Sequence, residues 1–154
     1  MTVRCWFALT FALATLVPTA SDAAQCVFVT TVGAAFGTYD VFSSAPTDSA
    51  GTITYLCTNV RPPDRVTIYL ARGVGNSYAP RQMQYTTNWL GYNLYVDAAH
   101  TIIWGDGTSG TQFYGPLRPP NGVPVTLNVY GRITPQQDVG VGTYGDAITV
   151  TMTY

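Results

Sequence analysis

Few side chains in this sequence of 154 residues could carry out catalysis. It contains a single His, His100, no Glu, and eight Asp. A hydrolase needs a general base or a pair of carboxylates at a fixed separation. Most of the Asp residues lie in turn-like contexts, and no Gly-x-Ser-x-Gly elbow accompanies His100. We therefore predict that the protein is not an enzyme and that His100 is solvated in a hairpin turn.

A calcium site is the other chemistry to consider, because Asp106 and Thr108 flank Gly107 and could supply oxygen ligands. Asp-Gly is also the commonest signal of a hairpin turn, and no series of spaced acidic residues accompanies this pair. We predict a turn here, with no bound metal and no cofactor.

The N-terminal residues have the pattern of a secretory signal peptide. Arg4 precedes an apolar stretch over residues 5–17, and small residues follow up to Ala24. We predict residues 1–23 as signal peptide and residues 24–154 as the mature domain, which begins at Ala24 or Gln25. The stretch is too short to span a bilayer, so no membrane span is expected after cleavage. Gln25 precedes Cys26 where a lipoprotein needs a small residue, which argues against lipidation.

Removal of the leader takes Cys5 with it and leaves two cysteines, Cys26 and Cys57. In an oxidising compartment this pair predicts one disulfide. Closing a loop of about thirty residues would stabilise the fold by roughly 3–4 kcal/mol in the chain-entropy model. Two free thiols are the alternative, and export disfavours them.

The composition predicts strands joined by turns. The sequence has no Lys and no Glu, and its net charge is -1, so nucleic acid and anionic membranes lack an electrostatic attraction to it. Eleven Tyr, fifteen Gly and ten Pro favour strands and turns over helices. About 130 mature residues suffice for one domain with a single core.

Alternation of apolar and polar residues predicts six main strands, and the spacing is typical of a β-sandwich. Residues 39–42 and 102–104 are expected to extend this pattern, with 102–104 pairing back in a hairpin. The six strands are residues 26–31, 52–57, 65–70, 90–96, 125–133 and 147–154. An immunoglobulin-like domain has about seven strands, so the count is one short.

The last of these strands is unusual because it has no charged residue after Asp146. Its alternation places four apolar residues on one face: Ile148, Val150, Met152 and Tyr154. A flat, uncharged edge strand is an aggregation hazard that proteins normally cover. We expect a partner strand to cover it.

Several segments, taken together in their order and spacing, carry a family resemblance. They are residues 93–108, the pair Phe36-Gly37 with Tyr39, residues 81–83, and residues 129–133 ahead of residues 142–150. Over the whole mature chain this pattern resembles the spore coat protein U domain family, which includes the Csu-type pilins of archaic chaperone-usher pili. Cys26 and Cys57 lie where that family has its disulfide.

The resemblance implies an all-β, incomplete immunoglobulin-like sandwich that lacks its final strand. A periplasmic chaperone would supply that strand first, and the N-terminal extension of a neighbouring pilin subunit would then replace it, with an outer-membrane usher as a further partner. The protein would then be exported, pass through the periplasm and end in a pilus on the cell surface. We expect an acceptor groove between the first and last strands, with an inward register that could shift by one residue. Its predicted lining is Val27, Phe28, Ile148, Val150, Met152 and Tyr154.

One departure from the family pattern concerns the strand that a subunit donates. Shaft subunits carry an alternating segment ahead of the first cysteine, but only Ala24 and Gln25 remain here after the predicted cleavage. We therefore expect a tip or terminal subunit.

Aromatic residues in or beside loops are candidates for adhesion to a glycan or a hydrophobic surface: Tyr78, Tyr85, Phe113 and Tyr114. The alternative is that several of them plug the ends of the sandwich. Trp89 and Trp104 lie next to strands and are expected in the core.

Two other functions stay open. One is a self-contained secreted binding module, such as a small lectin, which completes its own sheet with residues 139–141 or 105–124. The other is a structural component of a spore or cyst coat. Catalysis is expected in neither case.

Overall fold

A computed structural model describes residues 23–154 as an all-β domain. Residues 1–22, which make up nearly all of the predicted signal peptide and include Cys5, lie outside the described residues. In residues 23–154 there is no helix long and apolar enough to cross a membrane. The strands are β1 (Gln25–Val32), β2 (Thr47–Thr58), β3 (Val66–Leu70), β4 (Arg81–Tyr85), β5 (Asn88–Tyr95), β6 (Tyr114–Leu117), β7 (Val125–Ile133) and β8 (Val150–Thr153).

These strands form two antiparallel sheets that face each other across the core. The larger sheet has five strands in the order β1-β2-β7-β5-β4, and the smaller has three in the order β6-β3-β8. Alternation along β2 buries Ile53, Tyr55 and Cys57, whereas β3 buries Ile68 and Leu70 from the other side. The predicted all-β sandwich is confirmed. It is incomplete because β8 is an edge strand, with no further strand beside it in the described residues.

The strand count differs from the prediction at several places. β4 and β6 lie in regions predicted as loops, because each is short and a proline precedes or interrupts it. β2 begins at Thr47, inside a predicted polar loop, since its first residues lie largely open to solvent. Residues 39–42 form a turn rather than a strand. Residues 102–104 do pair back as predicted, since Ile103 bridges Tyr95 antiparallel and the Val96 and Trp104 backbone N–H groups donate to the Ile102 and Leu94 carbonyls.

The disulfide predicted from the two mature cysteines is formed. Cys26 and Cys57 are direct partners in the β1–β2 register, at a sequence separation of 31. Both side chains are buried, and each is in phase with the buried or partly buried apolar residues of its own strand. The bond therefore ties the edge strand β1 to the long strand β2.

A buried arginine joins the two sheets on the side of the core next to β4. Arg81 is fully buried, and its Nε donates to the Ala71 carbonyl at 3.0 Å while Nη1 donates to Asn93 Oδ1 at 2.9 Å. Its Nη2 donates to the Trp104 carbonyl at 2.6 Å. The ring of Tyr78 lies 5.0 Å from the guanidinium carbon. Burial lowers the pKa of Arg81 from its ordinary value, yet neutral acceptors and an aromatic face solvate the cation.

Trp104 continues this network into the small sheet. Its indole Nε1 donates to the Ile68 carbonyl at 3.0 Å, in the centre of β3. The side chain is 1% exposed, so the prediction that Trp104 belongs to the core is confirmed. Trp89, in contrast, is 40% exposed, and the same prediction was wrong for it because its place in β5 faces outward.

We predict that Arg81→Met lowers the free energy of unfolding by about 3 kcal/mol, because the Ala71 and Trp104 carbonyls and Asn93 Oδ1 each lose a hydrogen-bond donor while the side-chain volume is nearly kept. Chemical denaturation of the variant and of the parent protein measures this difference. Arg118→Met is the control, since Arg118 is exposed and should change stability by less than about 0.5 kcal/mol. Equal effects of the two substitutions would contradict the role of the network.

Candidate functional site

A cavity of about 1120 Å³ opens between the two sheets. Its lining comes from the inner faces of both sheets and from two connecting segments. The lining includes Ile53, Leu70, Met83, Leu90, Tyr92, Leu94, Val129, Ile133, Ile148 and Val150, with residues 31–42 and 139–146. The core of the sandwich is therefore accessible along this side, and we call the cavity the open groove.

The first wall of the open groove is the segment of residues 33–42, which follows β1 and belongs to neither sheet. Phe36 packs edge-on against Tyr92, with the ring centroids 5.8 Å apart. A Cβ on Gly131 would lie 2.7 Å from the Phe36 ring, and one on Gly51 would collide with the Val32 carbonyl. Two glycines of the large sheet thus let this segment cross directly over it.

Further along, the first wall is tied to the connection between β7 and β8. The Tyr39 hydroxyl donates to the Thr134 carbonyl at 3.1 Å and accepts from the Gln137 backbone N–H at 2.8 Å. Phe42, in the turn that follows, is 89% exposed. Such exposure of a phenylalanine at the rim of an apolar cavity is typical of a surface that another molecule covers.

The second wall is formed by residues 139–146, which lead into β8. Gly145 and Gln84 exchange both backbone hydrogen bonds, so this segment extends the outer edge of the large sheet by one bridge. The Tyr144 and Tyr85 rings pack with centroids 5.8 Å apart, and the Tyr144 hydroxyl donates to the Gly140 carbonyl. Val141 projects fully into solvent at the rim.

A carboxylate fixes the approach to β8. Asp146 Oδ2 accepts from the Tyr92 hydroxyl at 2.6 Å, and Oδ1 accepts from the Val74 backbone N–H at 2.8 Å. Burial, followed by the hydrogen bond to Asp146, raises the pKa of Tyr92, so the hydroxyl stays protonated and remains a donor. The floor of the open groove is thereby joined to the start of the last strand.

The free edge of β8 borders the open groove. Within residues 23–154, β8 pairs with β3 alone, through the register Ile68 to Met152 and Leu70 to Val150. Val150 faces the groove and Thr151 faces solvent. The arrangement combines an apolar trough with a strand edge that can hydrogen-bond to one more strand.

The residues predicted to line an acceptor groove occupy three kinds of position. Ile148 and Val150 line the cavity. Phe28 and Met152 are partly buried against the core, whereas Val27 and Tyr154 are both 57% exposed. The structure thus brings two of the predicted residues into the open groove, and the role of the set as a strand acceptor stays a prediction.

Sequence reasoning missed most of the groove lining. Leu90, Tyr92 and Leu94 alternate along β5 and so share one face, but nothing in the alternation indicates that this face is uncovered. Gly33 and Gly37 are the sequence signal for the first wall, because glycines let a chain bend away from the strand that precedes them. The chain does leave β1 at this point, and Gly37 has a φ of 70°.

The loop aromatics do not form one patch. Tyr78 is 5% exposed and its hydroxyl donates to the Leu70 carbonyl at 3.1 Å, so burial removes it from the adhesive candidates. Tyr114 is half-buried in β6 and packs on Tyr55 and Trp104. Phe113 is half-buried as well, and Tyr85 is 38% exposed.

His100 lies in a turn as predicted, but its side chain is not solvated. It is only 8% exposed, and its ring packs against Tyr95 at 5.2 Å and Tyr130 at 6.3 Å. Its Nε2 is 4.0 Å from Asp48 Oδ1, and Asp48 is already paired with Arg132. The prediction of a solvated side chain was wrong because two tyrosines of the outer sheet face cover the ring.

The Asp106 turn shows local hydrogen bonding. Asp106 Oδ1 accepts from the Thr108 backbone N–H at 2.9 Å and from its hydroxyl at 2.6 Å. In residues 23–154, no group of three or more His, Cys, Asp or Glu side chains has a metal-binding arrangement.

Comparison with known proteins identifies the family to which the sequence is similar. A sequence model of the Spore Coat Protein U domain matches residues 12–151. The chain is 36% identical over 132 residues to "Protein U" of Myxococcus xanthus, a match that covers 77% of this chain and 70% of that protein.

A solved structure has a similar fold. It is the crystal structure of the CsuC-CsuE chaperone-tip adhesion subunit pre-assembly complex from archaic chaperone-usher Csu pili of Acinetobacter baumannii. The TM-score is 0.53 at 19% identity, and the match covers 86% of this chain and 40% of the matched chain. At this identity the likeness concerns the fold alone, and this chain spans about two-fifths of the length of the matched one.

We predict that Tyr92→Phe lowers the free energy of unfolding by about 1–3 kcal/mol, because the Asp146 carboxylate loses one of its two donors in a partly buried position. Tyr130→Phe is the matched control. The Tyr130 hydroxyl only accepts from Asn128 on the outer sheet face, so a change below about 0.5 kcal/mol is expected. Chemical denaturation distinguishes the two, and a Tyr92→Phe protein as stable as the control would contradict the link between groove floor and β8.

Proposed function

Because this chain belongs to the spore coat protein U domain family, we propose that it is a structural subunit of a surface pilus, completed and assembled by addition of a strand from another chain. The observation that carries the proposal is the open groove beside the unpaired edge of β8. Strand addition fits both features, since main-chain hydrogen bonds satisfy the edge and alternate side chains fill the trough.

The energetics favour an occupied groove. A donor strand that buries about four apolar side chains gains roughly 6–12 kcal/mol before ordering costs are subtracted. A gain of this size is comparable to the whole stability of a small domain. Folding of this subunit and its assembly would then be coupled, and a free subunit would be only marginally stable.

The donor would enter between residues 33–42 and β8. There it would pair with the free edge of β8 and lay its apolar side chains on Leu90, Tyr92 and Leu94. The predicted acceptor residues Ile148 and Val150 flank this path. Adhesion through aromatic side chains is a further part of the proposal, in which Phe42 and Tyr85 are exposed and Phe113 is half-buried.

The partners follow from the same mechanism. A periplasmic chaperone would donate the first strand, an outer-membrane usher would receive the complex, and another subunit would replace the chaperone strand. The similar fold of the Acinetobacter baumannii pilus subunit complex supports a chaperone partner. The protein would pass through the periplasm after loss of a signal peptide and act on the cell surface, without a catalytic role.

A second candidate is a structural component of a spore or cyst coat. The description of the matching family and the similarity to "Protein U" of Myxococcus xanthus favour it. The open groove is equally compatible with a coat component, because strand addition between subunits could also build a coat.

A self-contained module has less support. Residues 105–124 do supply a strand, β6, but it pairs with β3 on the side opposite β8. Residues 139–141 form no strand, and Val141 is exposed. Within residues 23–154 neither segment closes the open groove, which favours a strand supplied by another chain.

A fused donor strand tests the proposal. We expect residues 24–154, extended by a flexible linker and a segment with four apolar residues at alternate positions, to melt well above the unfused chain. The gain arises because the donor fills the open groove and pairs with β8. A donor with Thr at the four apolar positions is the control for the linker.

A substitution in β8 identifies the site of insertion. Val150→Asn should remove much of the gain in melting temperature, whereas Thr149→Asn, an exposed neighbour, should preserve it. The proposal fails if the unfused chain is a stable monomer whose melting temperature no donor changes.

We also expect the subunit to occupy a terminal position in the assembly, since β1 begins at Gln25, directly after the predicted cleavage site, and leaves no segment to donate. Mass spectrometry of the mature protein from its native surface measures the N-terminus. A start at Ala24 or Gln25 is the expected result, and a start upstream of about residue 18 would restore a donor segment and contradict a terminal position.

A further inference from the structure

A second, smaller cavity lies against the solvent-facing side of the three-stranded sheet and shares only Leu70 with the lining of the open groove. Its volume is about 430 Å³. Tyr69 of β3 and Thr151 of β8 are cross-strand partners on its floor. The connection after β3 and the Asp106 turn wall it in, and we call it the outer pocket.

Two opposite charges line the outer pocket, and both are held in place by the fold. The guanidinium carbon of Arg72 lies 5.1 Å from the ring centroid of Tyr78, which is itself buried. This contact supports the arginine from one side and leaves its N–H donors available to a ligand. On the other side, Asp106 Oδ1 is fixed by the Thr108 N–H and hydroxyl. These hydrogen bonds hold the pKa of Asp106 below its usual range, so the carboxylate is ionised at neutral pH.

The charge pattern restricts the class of ligand. A purely anionic molecule would be repelled by Asp106, and a purely cationic one by Arg72. A group that both donates to a carboxylate and accepts from a guanidinium satisfies the two together, and an alcohol hydroxyl does so. The side chains of Asn76 and Thr151 add neutral hydrogen-bonding groups around the same space.

The floor adds an apolar surface to this polar ring. The Tyr69 ring is half-buried and packs against Phe113, with centroids 5.2 Å apart. As a half-buried aromatic side chain in the pocket lining, Tyr69 offers apolar surface on which the C–H face of a pyranose could pack. Neighbouring hydroxyls and one apolar face occur together in sugars.

We propose that the outer pocket is a carbohydrate-binding site for a neutral saccharide, with Asp106 accepting hydroxyl protons, Arg72 donating to hydroxyl oxygens and Tyr69 beneath the sugar ring. The volume suits one or two sugar units. The site does not rest on the pilus proposal, because it lies on the opposite side of β8 from the open groove. Val150 lines the open groove, whereas Thr151 lines the outer pocket.

Titration calorimetry tests this with residues 24–154, carrying the fused donor strand if the unfused chain is unstable. The probes are the methyl glycosides of galactose, mannose and N-acetylglucosamine, with methyl glucuronide as an anionic comparison. We expect saturable binding of at least one neutral glycoside at a single site, and weaker binding of the glucuronide. No saturable binding of any neutral glycoside, or tighter binding of the glucuronide, would overturn the proposal.

Matched variants place the binding in the outer pocket. Asp106→Asn keeps the Oδ1 acceptor that holds the turn but removes the charge, and it should weaken binding about tenfold or more. Asp138→Asn, an exposed aspartate outside the pocket, should leave binding unchanged. Should Asp106→Asn disturb folding, Arg72→Gln carries the same test, with Arg118→Gln as its control. Equal affinities of the pocket variant and its control would refute the assignment.

Discussion

The two sheets of this domain are unequal, and that inequality governs the rest of the structure. Five strands present an apolar inner face that three strands cannot cover, because neighbouring strands lie only about 4.8 Å apart. The connecting segments at residues 33–42 and 139–146 reduce the uncovered area without closing it. What remains is a trough at core depth beside an unpaired strand edge. The uncovered trough lies beside the unpaired edge of β8. One added strand would therefore cover the trough and pair with that edge.

The two parts of the core differ in how they are held. Around Arg81, directional hydrogen bonds to Ala71, Asn93 and Trp104 fix the relative position of the sheets. The lining of the open groove is mostly apolar, and its hydrogen bonds, among them Tyr92 to Asp146 and Tyr39 to Thr134, involve the two connecting segments rather than joining one sheet to the other. Polar networks specify one geometry, whereas apolar surfaces accept many shapes. The fold therefore has a rigid part that sets its register and a more adaptable part, which is the part proposed to receive another chain.

Alternation in the sequence located β2, β3, β5 and β7 and the inward phase of their side chains, because each is long enough to show the period of two. It missed β4 and β6, which are short and adjoin or contain prolines, so their pairing depends on neighbours rather than on their own composition. Alternation could not predict the burial of Tyr78 and His100 either. The guanidinium of Arg81 in β4 lies over the Tyr78 ring, and strand pairing brings Tyr95 and Tyr130 against the His100 ring. The groove lining could be predicted only through the family resemblance, since an uncovered face has the same pattern as a covered one.

The disulfide between Cys26 and Cys57 also affects how the domain responds to mechanical load. An edge strand pulled from its free end is normally peeled away, one hydrogen bond at a time. Here the second residue of β1 is covalently bound to β2, which is the longest strand and lies inside the large sheet. Tension applied at the first residues of β1 passes through the disulfide into β2, and the hydrogen bonds between β1 and β2 are bypassed. A domain built in this way resists unfolding from its N-terminal side through a covalent bond rather than through the hydrogen bonds of an edge strand.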